Sequence, residues 1–114
     1  MTIVYKIVAA DLWQAAEASG AFTGAGIDLN DGFIHLSTAG QARRTAQLYF
    51  KGQANLVLVA VDGACLGDAL KYEPSRDGDL FPHLYGPLPL AAVLSVHPLP
   101  VGVNGSHVFP EDVD

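Results

Sequence analysis

Two histidines occupy settings where an imidazole needs a reason. His35 lies between Ile34 and Leu36 in Asp31-Gly32-Phe33-Ile34-His35-Leu36-Ser37-Thr38, and His83 lies between Pro82 and Leu84 in Phe81-Pro82-His83-Leu84-Tyr85-Gly86-Pro87. Imidazole titrates near neutral pH and serves as general acid, general base or hydrogen-bond donor. On a strand, His35 and Ser37 share one face while Ile34 and Leu36 share the other. The strand leads into Thr38-Ala39-Gly40-Gln41, a capping-box pattern that opens a helix. Backbone N–H groups at such a start favour a phosphate or carboxylate, so His35, Ser37 and Thr38 read as an anion-facing wall. They also fit a core histidine beside an ordinary cap, because capping requires no ligand.

In the second segment, an extended backbone puts His83 and Tyr85 on one face and turns Leu84 inward. Pro82 and Pro87 stiffen the segment, and Gly86 allows a close backbone approach. Rigid loops often position functional groups, so His83 reads as acid/base or donor and Tyr85 as the residue that orients ligand. A structural turn with Tyr85 packed is the alternative. The two histidines are expected to line one pocket. Glu73, at a strand end before a polar turn, fits a general base or ribose ligand, though a solvated strand end is the commoner case. Arg43 and Arg44 fall one turn into the helix, where one reaches an anion or both are surface charges. A zinc site needs three or four converging ligands. His35 and His83 are remote in sequence without HxH or HxxxH spacing, so no metal is expected. His97 and His107 read as incidental.

The elements that must position these residues follow from periodicity. Thr2–Val8 is β-branched and alternating, a strand. Asp11 is an N-cap, with Leu12, Trp13 and Ala16 at helical spacing before Gly20. Ala21–Asn30 is a Gly-containing connection forming a flexible rim. Gly32–Leu36 is a short buried strand, and the capped helix runs to about Phe50. Asn55–Val61 is apolar on both faces and therefore central. Asp62-Gly63 turns the chain, Ala69–Glu73 is a strand, and Ser75–Asp79 is a polar turn. Phe81–Leu90, with three prolines and a glycine, reads as an ordered loop. Ala91–His97 and an edge strand at Ser106–Phe109 follow. The class is α+β: one domain with a mixed, mostly antiparallel sheet and two main helices.

Composition bounds the function. The chain has 114 residues, half of them hydrophobic and only 16% charged, which suits a single domain with a real core. Six Lys and Arg against 12 Asp and Glu give a net charge of -6. With Arg43–Arg44 as the sole adjacent cation pair, a nucleic-acid partner is not expected. The expected partner is instead an anionic small molecule. Cys65 is alone, excluding an internal disulfide and a thiolate metal cluster. Met1–Ala10 is too short and polar for a signal peptide, and no apolar run reaches membrane length. The expectation is a cytoplasmic protein without membrane association.

Tyr5 through Trp13, the Asp31–Thr38 run with Gln41, the Leu56–Asp62 strand, Tyr72-Glu73-Pro74 and Phe81–Leu88 together resemble the small bacterial proteins grouped as domain of unknown function 952. The resemblance spans nearly the whole chain. It implies the fold group of ADP-ribosyltransferases and RNA 2'-phosphotransferases, whose split sheet holds NAD or an ADP-ribose moiety. An early-strand polar residue there grips the ribose, and a later acidic or polar residue completes the site. His35–Ser37 is the part most like the phosphotransferase branch. In the family a His often follows the first-strand Tyr; this sequence has Lys6, a fixed cation suited to anion binding. No Arg-His pair and no Glu-x-Glu motif is present, so the resemblance does not imply modification of protein targets.

The expected function is therefore a pocket for NAD or another nucleotide-like or phosphorylated ligand, with ADP-ribosyl- or phosphotransferase-like activity. His35, His83 and Tyr85 would be catalytic, and Lys6, Ser37, Thr38, Gln41, Glu73 and Gly86 would bind ligand. The alternative is a non-catalytic ligand-sensing or protein-interaction module.

Overall fold

A four-stranded antiparallel sheet grows from the most apolar run of the chain, Leu56–Asp62 (β5), in a computed structural model that describes residues 2–113. It pairs along its whole length with Ile3–Ala9 (β1) and on its other side with Val93–Pro98 (β9). A two-residue strand, Ser37–Thr38 (β4), completes the order β4-β1-β5-β9. A second antiparallel sheet takes Ile34–His35 (β3), Leu80–Leu84 (β7) and Leu70–Pro74 (β6) in the order β3-β7-β6. Ala21–Phe22 (β2) and Leu88–Pro89 (β8) form a third pair. Three helices attach to these sheets: Ala10–Ser19 (α1), Ile27–Asp31 (α2) and Ala39–Tyr49 (α3). This is an α+β domain. Among the described residues no helix is long and apolar enough to cross a membrane.

The pleat of the first sheet sorts the core into two layers. Val4, Val8, Val59 and Val61 face Trp13, Phe22, Ile34 and Leu84, whereas Tyr5, Ile7, Leu58 and Ala60 face Ala42 and Ala46 of α3. Lys6 lies on the Val4–Val8 face and is buried, a cation in an apolar layer.

Several expected elements differ. Helix α1 begins one residue before Asp11, and its N-cap, Ala9, provides no side-chain bond. The carboxylate of Asp11 instead accepts from Leu12 N–H inside the first turn. The connection at Ala21–Asn30 contains β2 and most of α2, so the described residues hold three α-helices rather than two. A five-residue helix is too short to show apolar periodicity, and Gly24 and Gly26 imitate a linker. Gly24 is needed because a Cβ there would meet Asp28 Cβ at 3.0 Å. The segment Ser106–Phe109 contributes only an isolated bridge, Val101↔His107.

The largest departure is at Phe81–Leu90, which holds β7 and β8 where the prolines predict a loop. Pro82 O accepts from Leu36 N–H at 3.0 Å, so the proline nitrogen faces the same side, toward β3. That nitrogen has no hydrogen to return. Pairing with β6 is spared, and the β3 ladder stops after His35. The chain then leaves the second sheet and joins the first at Ser37↔Tyr5. The expected strand Gly32–Leu36 is thus shortened to Ile34–His35, a separate strand Ser37–Thr38 in the other sheet precedes the capped helix, and a cleft lies at the junction between them.

Candidate functional site

Register brings the two histidines together. His35 and His83 are direct cross-strand partners of β3 and β7. Because the neighbouring Leu36–Pro82 pair carries the hydrogen bond, His35 and His83 fall at the position where side chains approach most closely. Their ring centroids are 5.5 Å apart. Phe33, two residues before His35 and on the same face, stacks on His83 at 4.2 Å and also touches His35 and Tyr85.

The two rings have different surroundings. His83 is buried, and its Nδ1 lies 2.8 Å from Glu73 Oε1. Tyr85 donates its hydroxyl to the same oxygen at 2.7 Å. These two bonds, that from His83 foremost, hold the Glu73 carboxyl below its usual range. The shared carboxylate in turn pushes the Tyr85 phenol up. With Nδ1–H directed at Glu73, Nε2 carries the lone pair. Among the described residues nothing engages Nε2. A carboxylate-anchored imidazole with one open nitrogen is the arrangement of a general acid/base.

His35 has both nitrogens occupied: Nδ1 is 2.7 Å from Asp28 Oδ1 and Nε2 is 2.9 Å from Asp31 Oδ2. Carboxylates only accept, so both bonds form together when the ring carries two protons. Asp28 is the hub of this side. Its carboxylate also accepts from His35 N–H at 3.0 Å, Ala25 N–H at 3.0 Å and Lys6 Nζ at 2.9 Å. Lys6 donates further to His35 O at 3.1 Å. Burial alone pushes the Asp28 carboxyl up, but the Lys6 charge and the His35 and Lys6 bonds outweigh it and hold the carboxyl below its usual range. Burial pulls the Lys6 ammonium down, more strongly than Asp28 raises it. The pair is best described as ionic, because four hydrogen bonds meet the Asp28 charge.

The cleft has a volume of about 630 Å³. Beyond Tyr5 the β4 side of β1 has no partner strand, and Lys6 to Ala9 line the cavity along that edge. His35, Ser37 and His83 line it too. Ser37 Oγ is 3.1 Å from Thr45 Oγ1, which also accepts from Arg76 Nη1 at 3.3 Å.

The remaining expected residues lie elsewhere. Glu73 and Tyr85 stand behind His83 and reach the cleft only through it. Thr38 and Gln41 form the reciprocal capping box, Gln41 Oε1 accepting Thr38 N–H at 3.1 Å. Gln41 Nε2 donates to Leu80 O at 2.8 Å. The helix start is therefore closed by its own side chains and does not line the cleft. Gly86 is exposed in the turn after β7. Arg43 donates to Val113 O on the far side of α3, and His107 meets Gln53 O. Among the described residues no three His, Cys, Asp or Glu converge in a way that could hold a metal ion.

Sequence reasoning missed Asp28, Asp31, Phe33, Thr45 and Arg76. Asp31 stands four residues before His35, a helical spacing that a strand reading hides. Phe33 shares the parity of His35 and could have been read from alternation. Asp28, Thr45 and Arg76 carry no local signal, since only tertiary packing brings them to the cleft.

The fold and site define a small α+β protein with a cleft at a sheet junction, paired histidines at its wall and a buried Lys–Asp pair beside them. The chain belongs to the family described as "Protein of unknown function (DUF952)", matched over residues 7–96. It is similar to the X-ray crystal structure of protein CC0527 from Caulobacter crescentus, with 48% identity over 94% of each chain and a TM-score of 0.90. The solution NMR structure of the same Caulobacter protein is similar at 50% identity, covering 93% of this chain and 91% of that one, with a TM-score of 0.83. No curated protein matches the chain.

Proposed function

We propose that the cleft binds a nucleotide-like, phosphorylated small molecule and that His83 serves as acid/base toward it, in a transferase of ADP-ribosyltransferase-like architecture. The observation that carries this reading is His83 itself: a buried residue of the cleft lining, anchored through Nδ1 to Glu73, with no partner at Nε2 among the described residues. A volume of about 630 Å³ falls within the range of small-molecule sites, about 300–1,000 Å³. The departure of β4 from β3 gives the divided sheet that this architecture uses, and the donors and hydroxyls at the junction suit NAD or ADP-ribose. His35 has no open nitrogen, so its role is to position His83 and Phe33. Tyr85 and Glu73 act through His83, and Lys6 and Ser37 form the polar floor.

One feature favours a second reading, a ligand-sensing module without turnover. Lys6 and His35 are both tied up by carboxylates, which leaves a single residue for chemistry. Calorimetric titration of the full chain with NAD, ADP-ribose and nucleotide phosphates tests the proposal, with product analysis separating turnover from binding. Binding weakened in His83→Gln is expected. Failure of the wild type to bind any of these ligands, or wild-type affinity in both His83→Gln and His35→Ala, would overturn it.

A further inference from the structure

Arg76 is half-buried in the cleft wall, in a chain where acids outnumber cations two to one. Glu73, Asp77 and Asp79 are within three residues of it in sequence. Among the described residues, none of them, nor any other carboxylate, forms an ion pair with its guanidinium. What holds Arg76 is aromatic and neutral. Its guanidinium lies 4.7 Å from the Phe81 ring and 5.9 Å from the Tyr49 ring. Nη1 donates to Thr45 Oγ1 at 3.3 Å, and that oxygen continues to Ser37 Oγ at 3.1 Å. A guanidinium has five N–H donors in a fixed fork, and the described residues engage one of them. Ring contacts take up no N–H, so the remaining donors have no partner among the described residues, and such a fork can meet phosphate oxygens two at a time.

We propose that Arg76, Thr45 and Ser37 form the phosphate subsite of the cleft, with the rest of the ligand extending toward His83. This rests on the cleft being the ligand site, and assigns the phosphate to a different place from the helix start beside Thr38 that the sequence suggests. That start is spent on the capping box and lies off the cavity, whereas Arg76, Ser37 and Thr45 all line it. The direction toward His83 follows from β7. Phe81, under the guanidinium, and His83 are two residues apart on one face, roughly 7 Å along the strand. A phosphate gripped at Arg76 therefore places a neighbouring sugar or ester oxygen near Nε2.

The test is a titration of the ¹⁵N-labelled full chain with inorganic phosphate, followed by ADP-ribose, read at the Arg76 Nε–H and at the Ser37 and Thr45 amides. Saturable shifts at these three are expected, with affinity falling at least about tenfold in Arg76→Gln and by less in Arg76→Lys. An unchanged spectrum outside the cleft shows that both variants fold. Absence of saturable phosphate binding overturns the subsite. Shifts centred on Gly40, Arg44 and Lys51, or wild-type affinity in Arg76→Gln, do so too. ADP-ribose binding that is indifferent to Arg76→Gln would remove the subsite and leave the cleft as the ligand site. Phosphate captured at Arg76 while ADP-ribose leaves His83 unperturbed would keep the subsite and overturn the proposed function.

Discussion

Replacing Asp28 by Ala removes the acceptor of four hydrogen bonds at once, those from Lys6 Nζ, Ala25 N–H, His35 N–H and His35 Nδ1. The Asp28 side chain is only 1% exposed, so water does not replace it without rearrangement. Lys6 would keep a single carbonyl partner in an apolar layer. Removing one member of a buried ion pair costs about 3–5 kcal/mol, a large part of the roughly 5–15 kcal/mol that a domain has. Urea unfolding followed by circular dichroism would show a midpoint lowered by about 2 M, at a slope of about 1–3 kcal/mol per molar. Lys6→Met should cost less, because Asp28 retains the three other hydrogen bonds. The Lys6→Met/Asp28→Ala double variant should cost less than the sum of the singles, since it leaves no buried ammonium. A loss under 1 kcal/mol for Asp28→Ala, or strict additivity in the double variant, would refute the hub.

Asp28 also sets an acid limb. Its folded carboxyl binds a proton less readily than the unfolded one, whose ordinary value is 3.8. Its stabilisation is therefore complete above that value and lost as pH falls through the lower folded value, and Asp28→Asn should flatten the stability profile below about pH 4. Glu73 fixes the His83 ring: ¹⁵N NMR should find the neutral ring protonated at Nδ1, and Glu73→Gln should mix the tautomers, whereas an Nε2–H ring in the wild type would contradict the contact. The Tyr85 phenol should ionise above 10.0 in a spectrophotometric titration and move down in Glu73→Gln. Gln41→Ala loses both the reciprocal cap and the tie to Leu80 O, an expected cost of about 1–2 kcal/mol by chemical denaturation; an unchanged midpoint would show that the cap is dispensable.

Where side-chain alternation or a cap pattern repeats locally, the chain is readable. β1, β5 and the Thr38–Gln41 capping box follow directly from apolar runs and residue spacing, and so does the shared face of His83 and Tyr85. The meeting of His35 with His83 was legible only as a suspicion about two misplaced imidazoles, because strand register is a long-range property. Pro82 misleads in an instructive way. A proline in a run normally demotes it from a sheet, yet here its missing donor ends one ladder and leaves the other whole. The polar half of the cleft was the least readable. Asp28 sits in a helix too short for periodicity. Arg76 sits in a turn whose neighbours are acidic, and only in three dimensions does it emerge that none of the described carboxylates pairs with it. Thr38 and Gln41 show the reverse: a correct local motif that uses up the groups a ligand would need.

The most direct measurement is a crystal structure of the chain in complex with ADP-ribose. The prediction is ligand in the cleft, with a polar atom about 3 Å from His83 Nε2 and Nδ1 still on Glu73. An empty cleft at saturating concentration, or ligand bound with His83 Nε2 untouched, would contradict the assignment of His83 as the residue that acts there.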